Sequence, residues 1–154
     1  MSNHAWDSVA EAYAERVEPF TSQFAAPLLD AACEALGGVA LTGAHVLDVA
    51  AGSGAVALEA LRRGAKVTAT DGSGEMLRVA SERASAASHE LATRVAEGTA
   101  LPLDLAGGSL LATSGFGVIF FPDVAAGLAD CAAVAPDREQ RLLTRTTACT
   151  GSPS

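Results

Sequence analysis

No run in this 154-residue chain approaches the roughly 20 apolar residues that a membrane span requires. The N-terminus lacks the basic-then-apolar layout of a secretory leader, so a cytoplasmic protein without a membrane partner is expected. Basic residues are scarce. Ten stand against 18 acids, giving a formal net charge of −8. With no basic patch to offset it, that balance argues against a general nucleic-acid binder, although not against a nucleic-acid substrate recognised locally. The three cysteines, Cys33, Cys131 and Cys149, are scattered and odd in number. They fit reduced, mostly buried thiols better than disulfides or a metal site. His4, His45 and His89 lie far apart and lack metal-ligand spacing, so no metal is expected. There is no Ser-His-Asp arrangement and no nucleophile elbow. Ala55 stands where a phosphate-gripping loop would place its lysine, which argues against phosphoryl transfer.

What is present is organised around His45-Val46-Leu47-Asp48-Val49-Ala50-Ala51-Gly52-Ser53-Gly54. An apolar run ends in a small glycine-bearing turn, and an alanine-rich helical pattern comes at once after it. Gly52 and Gly54 permit a sharp turn and a close ligand approach, and the free N–H groups of the next helix would face that ligand. Asp48 sits late in the strand, where its carboxylate can accept from an ammonium or amide. Gly52-x-Gly54-x-x-Ala57 also fits the pattern of dinucleotide-binding turns. Asp71 ends the next apolar run, beside the first loop, where an acid can accept from both hydroxyls of a ribose. A nucleotide-type ligand is the first expectation.

With 49% apolar and 18% charged residues, 1–154 reads as one globular domain. It divides into an N-terminal helical cap, 1–38, and a core, 44–147. Trp6, Val9, Ala10, Tyr13, Ala14 and Val17 recur at helical spacing, and Glu18-Pro19 is expected to end that helix. Trp6 and Tyr13 either pack on the core or lie over a ligand, with Tyr13 closing the pocket. A second helix is expected over 21–36, with Pro27 in its first turn and Gly37-Gly38 stopping it. After the central strand come a helix over 54–63, a strand over 66–70, and a helix capped by Ser73 that fades near His89. A third strand is placed at 92–96, a fourth at 110–114, a helix at 122–135 and a fifth strand at 141–147. Strands alternating with helices predict an α/β fold with a doubly wound parallel sheet, Rossmann-like, in strand order 3-2-1-4-5.

With these residues assembled, the chain resembles a class I S-adenosylmethionine-dependent methyltransferase. The likeness rests on the strand and loop from Val46 to Gly54, on Asp71-Gly72-Ser73-Gly74-Glu75-Met76-Leu77, and on Gly98-Thr99-Ala100-Leu101-Pro102. Ser114-Gly115-Phe116-Gly117 through Phe120-Phe121-Pro122-Asp123 is similar to a small-molecule subgroup of that family. The resemblance implies S-adenosyl-L-methionine as cofactor and a small-molecule methyl acceptor. It implies that Asp48 and the backbone of Ala50, Ala51 and Gly52 hold the methionine end, that Asp71 takes the ribose hydroxyls, that Met76 packs on the adenine, and that Gly54 and Gly72 belong to the cofactor-binding set. Thr99 and Ala100 would border the adenine edge, Ser114 and Phe116 would line the sulfonium side, and Tyr13 would close the pocket. No catalytic base is assigned.

Three departures from the family pattern carry expectations of their own. Thr99 stands where the family usually has an acid, which removes charge assistance at the adenine amino group. Leu110-Leu111 replaces a Phe-Asp pair at the fourth strand. Ala135-Pro136-Asp137-Arg138-Glu139-Gln140 replaces a Pro-Gly-Gly turn, and the residues after it hold no counterpart of the family's terminal antiparallel hairpin. A truncated or altered C-terminus is therefore expected, along with an open sheet edge that pairs two copies into a homodimer. Three readings stay open: a small-molecule methyltransferase, a cofactor-binding domain inactive alone, and a dinucleotide oxidoreductase.

Overall fold

The computed structural model describes residues 3–101 and 111–134. Four parallel strands, β1 (His45–Val49), β2 (Lys66–Asp71), β3 (Ala92–Val95) and β4 (Leu111–Thr113), form one sheet in the order β3-β2-β1-β4. Helices α1 (Asn3–Asp7), α2 (Ala10–Arg16), α3 (Glu18–Thr21) and α4 (Ala25–Ala35) precede the sheet, with a 3-10 turn, Ser22–Phe24, between the last two. Helices α5 (Ala55–Arg62), α6 (Gly74–Ala86) and α7 (Val124–Val134) come after β1, β2 and β4, and a second 3-10 turn, Gly117–Phe120, precedes α7. This is the Rossmann-like α/β arrangement, and its order matches the first four strands of the expected 3-2-1-4-5. The expected fifth strand, the altered turn at 135–140, Cys149 and the sheet edge expected to pair two copies lie outside the described residues.

β1 is covered on both faces, as a central parallel strand must be. Val46 points into a cluster with Leu28, Leu29 and Ala32 of α4 and Val56, Ala57 and Ala60 of α5. Leu47 and Val49 point the other way, toward Leu101, Ala112 and Cys131. The period-two alternation puts Asp48 on the same face as Val46. Burial raises the Cys131 thiol to about 11, with Asp130 adding to the effect, so the sulfur is protonated at neutral pH.

The N-terminal region departs from the single helix expected. It breaks after Asp7, where the Ser8 hydroxyl donates to the Ala5 carbonyl at 2.9 Å and competes with the helical ladder. Helix α2 ends at Arg16, just before Glu18-Pro19 as expected, but Pro19 also opens a further short helix. It sits in the first turn of α3, where a missing N–H leaves no helical bond unmade. The chain therefore turns at Val17 and continues as a helix, and that turn carries Glu18 inward. Gly37 and Gly38, at φ 86° and 79°, end α4 as expected.

Ser73 caps α6 through its hydroxyl, which accepts from the Met76 N–H at 3.1 Å and donates to the Asp7 carboxylate at 2.6 Å. One side chain thus fixes the helix start and ties the cap to the core. Ser73→Ala should lower stability by about 1–2 kcal/mol and the melting point by roughly 2–8 °C. Ser8→Ala should change little. Thermal unfolding followed by circular dichroism checks both, and equal effects would contradict the assignment.

Candidate functional site at the carboxyl ends of the central strands

The loop after β1 turns within five residues. Ala50, at φ 53°, and Gly52, at φ 56°, are both left-handed. A non-glycine residue there is strained, and such strain persists only where surrounding contacts hold it. Gly54 caps α5 at φ 98°, and a Cβ there would lie 3.0 Å from that of Ala80. The loop is held from β2. Asp71 Oδ2 accepts from the Gly52 N–H at 2.8 Å, and its Oδ1 accepts from the Ser73 N–H at 2.9 Å. One carboxylate therefore joins the loops after β1 and β2. Burial raises the Asp71 carboxyl, those two N–H groups oppose the rise, and the charges of Glu97 and Asp7 add to it. Each oxygen keeps capacity to accept a further bond.

Asp48 is fully buried, and register explains its partner. It lies opposite Thr113 across the β1–β4 pair, and the Thr113 hydroxyl donates to Oδ1 at 3.0 Å. Oδ2 has no partner among the described residues. Burial raises the carboxyl to about 7; Thr113 and the nearby Ala57 N–H oppose the rise, and the Asp71 charge adds to it. The Ser114 hydroxyl, one residue further along, is likewise buried without a partner among the described residues.

A second acid enters from the cap. Glu18 is 1% exposed, and its carboxylate accepts from the Ser53 hydroxyl and from Arg83. Arg83 also donates to the Ser53 carbonyl at 2.8 Å. Burial raises the Glu18 carboxyl, against the opposing pull of Arg83. The glycine loop is thus held on one side by Asp71 and on the other by Glu18.

Between these groups lies a cavity of about 390 Å³. Ten of the anticipated site residues line it: Tyr13, Asp48, Ala50, Ala51, Gly52, Asp71, Gly72, Met76, Thr99 and Phe116. Gly54, Ala100 and Ser114 do not. Gly54 acts from behind as the α5 cap, Ala100 hydrogen-bonds back to the Glu97 carbonyl at 3.0 Å, and Ser114 is buried beneath the wall. Trp6 lines the space too, as the reading of its helix over a ligand allowed, and so do Glu18, Ser53, Phe24, Glu97, Phe120 and Phe121, which sequence reasoning had not assigned to it. Thr99 does not leave its side of the cavity without an acid, because Glu97 lines it two residues earlier. Phe121 is seated by glycines: a Cβ at Gly98 or Gly127 would overlap its ring.

The Methyltransferase domain family model matches residues 46–137, more than half of the chain. This chain belongs to the methyltransferase-domain family. A stretch of 80 residues is 50% identical to the uncharacterized protein Rv1403c of Mycobacterium tuberculosis. The match covers 52% of this chain but only 29% of that protein's length. The uncharacterized protein Mb1438c of Mycobacterium bovis matches to the same extent. Among solved structures, protein mmp1179 of Methanococcus maripaludis superposes with a TM-score of 0.64 at 16% identity, covering 87% of this chain and 59% of that one. Magnesium protoporphyrin IX methyltransferase of Synechocystis PCC 6803, solved with bound SAM, gives 0.60 at 18% identity, covering 72% and 54%. These methyltransferase-domain superpositions establish the shared fold. No helix among the described residues is long and apolar enough to cross a membrane, and no group of side chains there could hold a metal ion.

The buried acids of this methyltransferase-domain site carry a pH signature. Asp48 rises from 3.8 to about 7, so between those values the folded chain keeps a proton that the unfolded chain has lost. Its contribution is fully present below about pH 4 and is lost as pH rises through 7, and the raised carboxyls of Glu18 and Asp71 act in the same direction. For Asp48 the loss is on the order of 4 kcal/mol. Relative to wild type, Asp48→Asn should therefore gain stability between pH 4 and pH 8. Urea unfolding across that range measures it, and parallel curves would show that Asp48 does not titrate as described.

Proposed function

We propose that this domain binds S-adenosyl-L-methionine at the carboxyl ends of β1 and β2 and presents its methyl group to a small-molecule acceptor. The observation that carries the reading is the unpartnered Asp48 Oδ2, buried in the cavity wall beside the glycine loop. A buried acceptor without a donor is costly, and a ligand ammonium would satisfy it. The residues present fit the cofactor at each end. Asp48 and the Ala50–Gly52 backbone hold the methionine end, with Gly54 keeping the loop in place. Asp71, with accepting capacity left on both oxygens, takes the vicinal ribose hydroxyls, and Gly72 leaves room beside it. Met76 packs on the adenine, with Thr99 and Glu97 at its edge. Phe116 borders the sulfonium side, with Ser114 buried behind it, and Tyr13 covers the pocket from α2.

When bound, S-adenosylmethionine supplies a methyl group already activated by its positive sulfur. The chain then has to hold donor and acceptor in line and exclude water, and no strong nucleophile of its own is needed. Membership of the methyltransferase-domain family supports this reading over a nicotinamide oxidoreductase. The acceptor, the homodimer and the cytoplasmic location remain proposals drawn from the sequence.

S-adenosylhomocysteine at about a hundred times its dissociation constant should stabilise the domain by roughly 2.7 kcal/mol. The melting point should then rise by about 5–10 °C. Nicotinamide dinucleotides should give no such rise, and the opposite pattern would overturn the reading. Asp71→Ala removes a charged acceptor worth roughly 1.5–3 kcal/mol, so affinity should fall on the order of 10- to 150-fold by calorimetry. Transfer from labelled cofactor to a metabolite library separates a competent enzyme from a domain that only binds.

A further inference from the structure

Six of the seven aromatic residues in the chain line this one cavity. Trp6 and Tyr13 come from the cap, Phe24 from the turn before α4, and Phe116, Phe120 and Phe121 from the segment after β4. They meet in two edge-to-face groups. Trp6 packs against Tyr13 at 5.8 Å and Phe120 at 5.0 Å, while Phe24 packs against Phe116 at 5.5 Å. The seventh aromatic, Phe20, extends the second group by packing on Phe24 at 5.5 Å. The first group is not sealed: Phe120, which lines the cavity, is 47% exposed. Rings left open to solvent at a cavity mouth are not explained by packing the cap on the core, since Trp6 and Tyr13 already reach Met76 and Val79 for that purpose.

Charge in the same space has one sign. Glu18, Asp48, Asp71 and Glu97 line the cavity, and no lysine, arginine or histidine does so among the described residues. Arg83, which pairs with Glu18, is not part of the lining. Met76, assigned to the adenine, packs with Trp6 and Tyr13, whereas Phe24 and Phe116 meet each other, so that second group is left for another planar body. An incoming anion would meet several carboxylates in a partly desolvated space, with no lysine, arginine or histidine among the described lining residues to receive it.

We propose that the mouth formed by Trp6, Phe24, Phe116 and Phe120 selects an aromatic acceptor bearing no anionic group, either neutral or carrying an amine. The flat body lies among the rings, where dispersion and ring quadrupoles favour it, and an ammonium gains further from ring faces and carboxylates. A carboxylate- or phosphate-bearing acceptor is turned away. This assignment rests on the cofactor reading above, yet it can fail separately from it.

Three probes of matched shape test it by titration calorimetry on the full chain saturated with S-adenosylhomocysteine: 2-naphthol, 2-naphthylmethylammonium and 2-naphthoate. The first two should bind, and the naphthoate should bind about ten-fold more weakly or worse. Phe120→Ala should weaken the naphthol several-fold while affinity for S-adenosylhomocysteine holds. Naphthoate binding as tightly as naphthol would overturn the proposal, as would failure of all three probes with S-adenosylhomocysteine bound. If S-adenosylhomocysteine does not bind, the cofactor reading falls instead. The same three probes on the free protein then decide the mouth by the same criteria.

Discussion

The Asp71 carboxylate, accepting from Gly52 on one side and Ser73 on the other, is the interaction on which the site depends. Two strand ends brought side by side in a parallel sheet give two loops with unpaired N–H groups. Without a common acceptor those loops would be independently mobile, and the left-handed backbone at Ala50 and Gly52 would have little to hold it. The charge falls where the N-terminus of α6 also favours it. The same residue therefore sets the loop geometry and keeps accepting capacity toward the cavity. Structure and binding are here two uses of one carboxylate.

Around that bridge the chain accumulates buried acids. Asp48, Glu18 and Asp71 are all pushed toward the protonated form by burial, and among the described contacts Glu18 gains a full cationic partner in Arg83. Each costs stability in the free domain near neutral pH. The arrangement makes physical sense as a site preorganised for positive charge, because the cost is offset when a cation enters. A cavity meant for ligands of net negative charge would be built with the opposite sign.

Much of this could be read from the chain. The strand, turn and helix around Gly52 and Gly54, the acid ending β2 and the Ser73 cap are local patterns, so they were legible, and four strands took the expected order. What escaped depends on distance in sequence. Glu18 reads as the end of a helix because it precedes proline. Its burial is decided by Ser53 and Arg83, far along the chain. Glu97 carries no local signal of its own beside Thr99, two residues on, and only the path of the loop brings both to the cavity. The aromatic mouth draws on both ends of the described chain, and no local spacing announces it. The break at Ser8 and the helical turn through Pro19 depend on side-chain competition and on position within a turn, which periodicity does not resolve.

A crystal structure of the domain with S-adenosylhomocysteine would test the central claim most directly. The ribose hydroxyls should lie within hydrogen-bond reach of Asp71, with the Gly52 and Ser73 bonds to that carboxylate intact. The ligand ammonium should donate to Asp48 Oδ2. A ligand bound away from Asp71, or one that enters only by breaking the Gly52 and Ser73 bonds, would contradict the account.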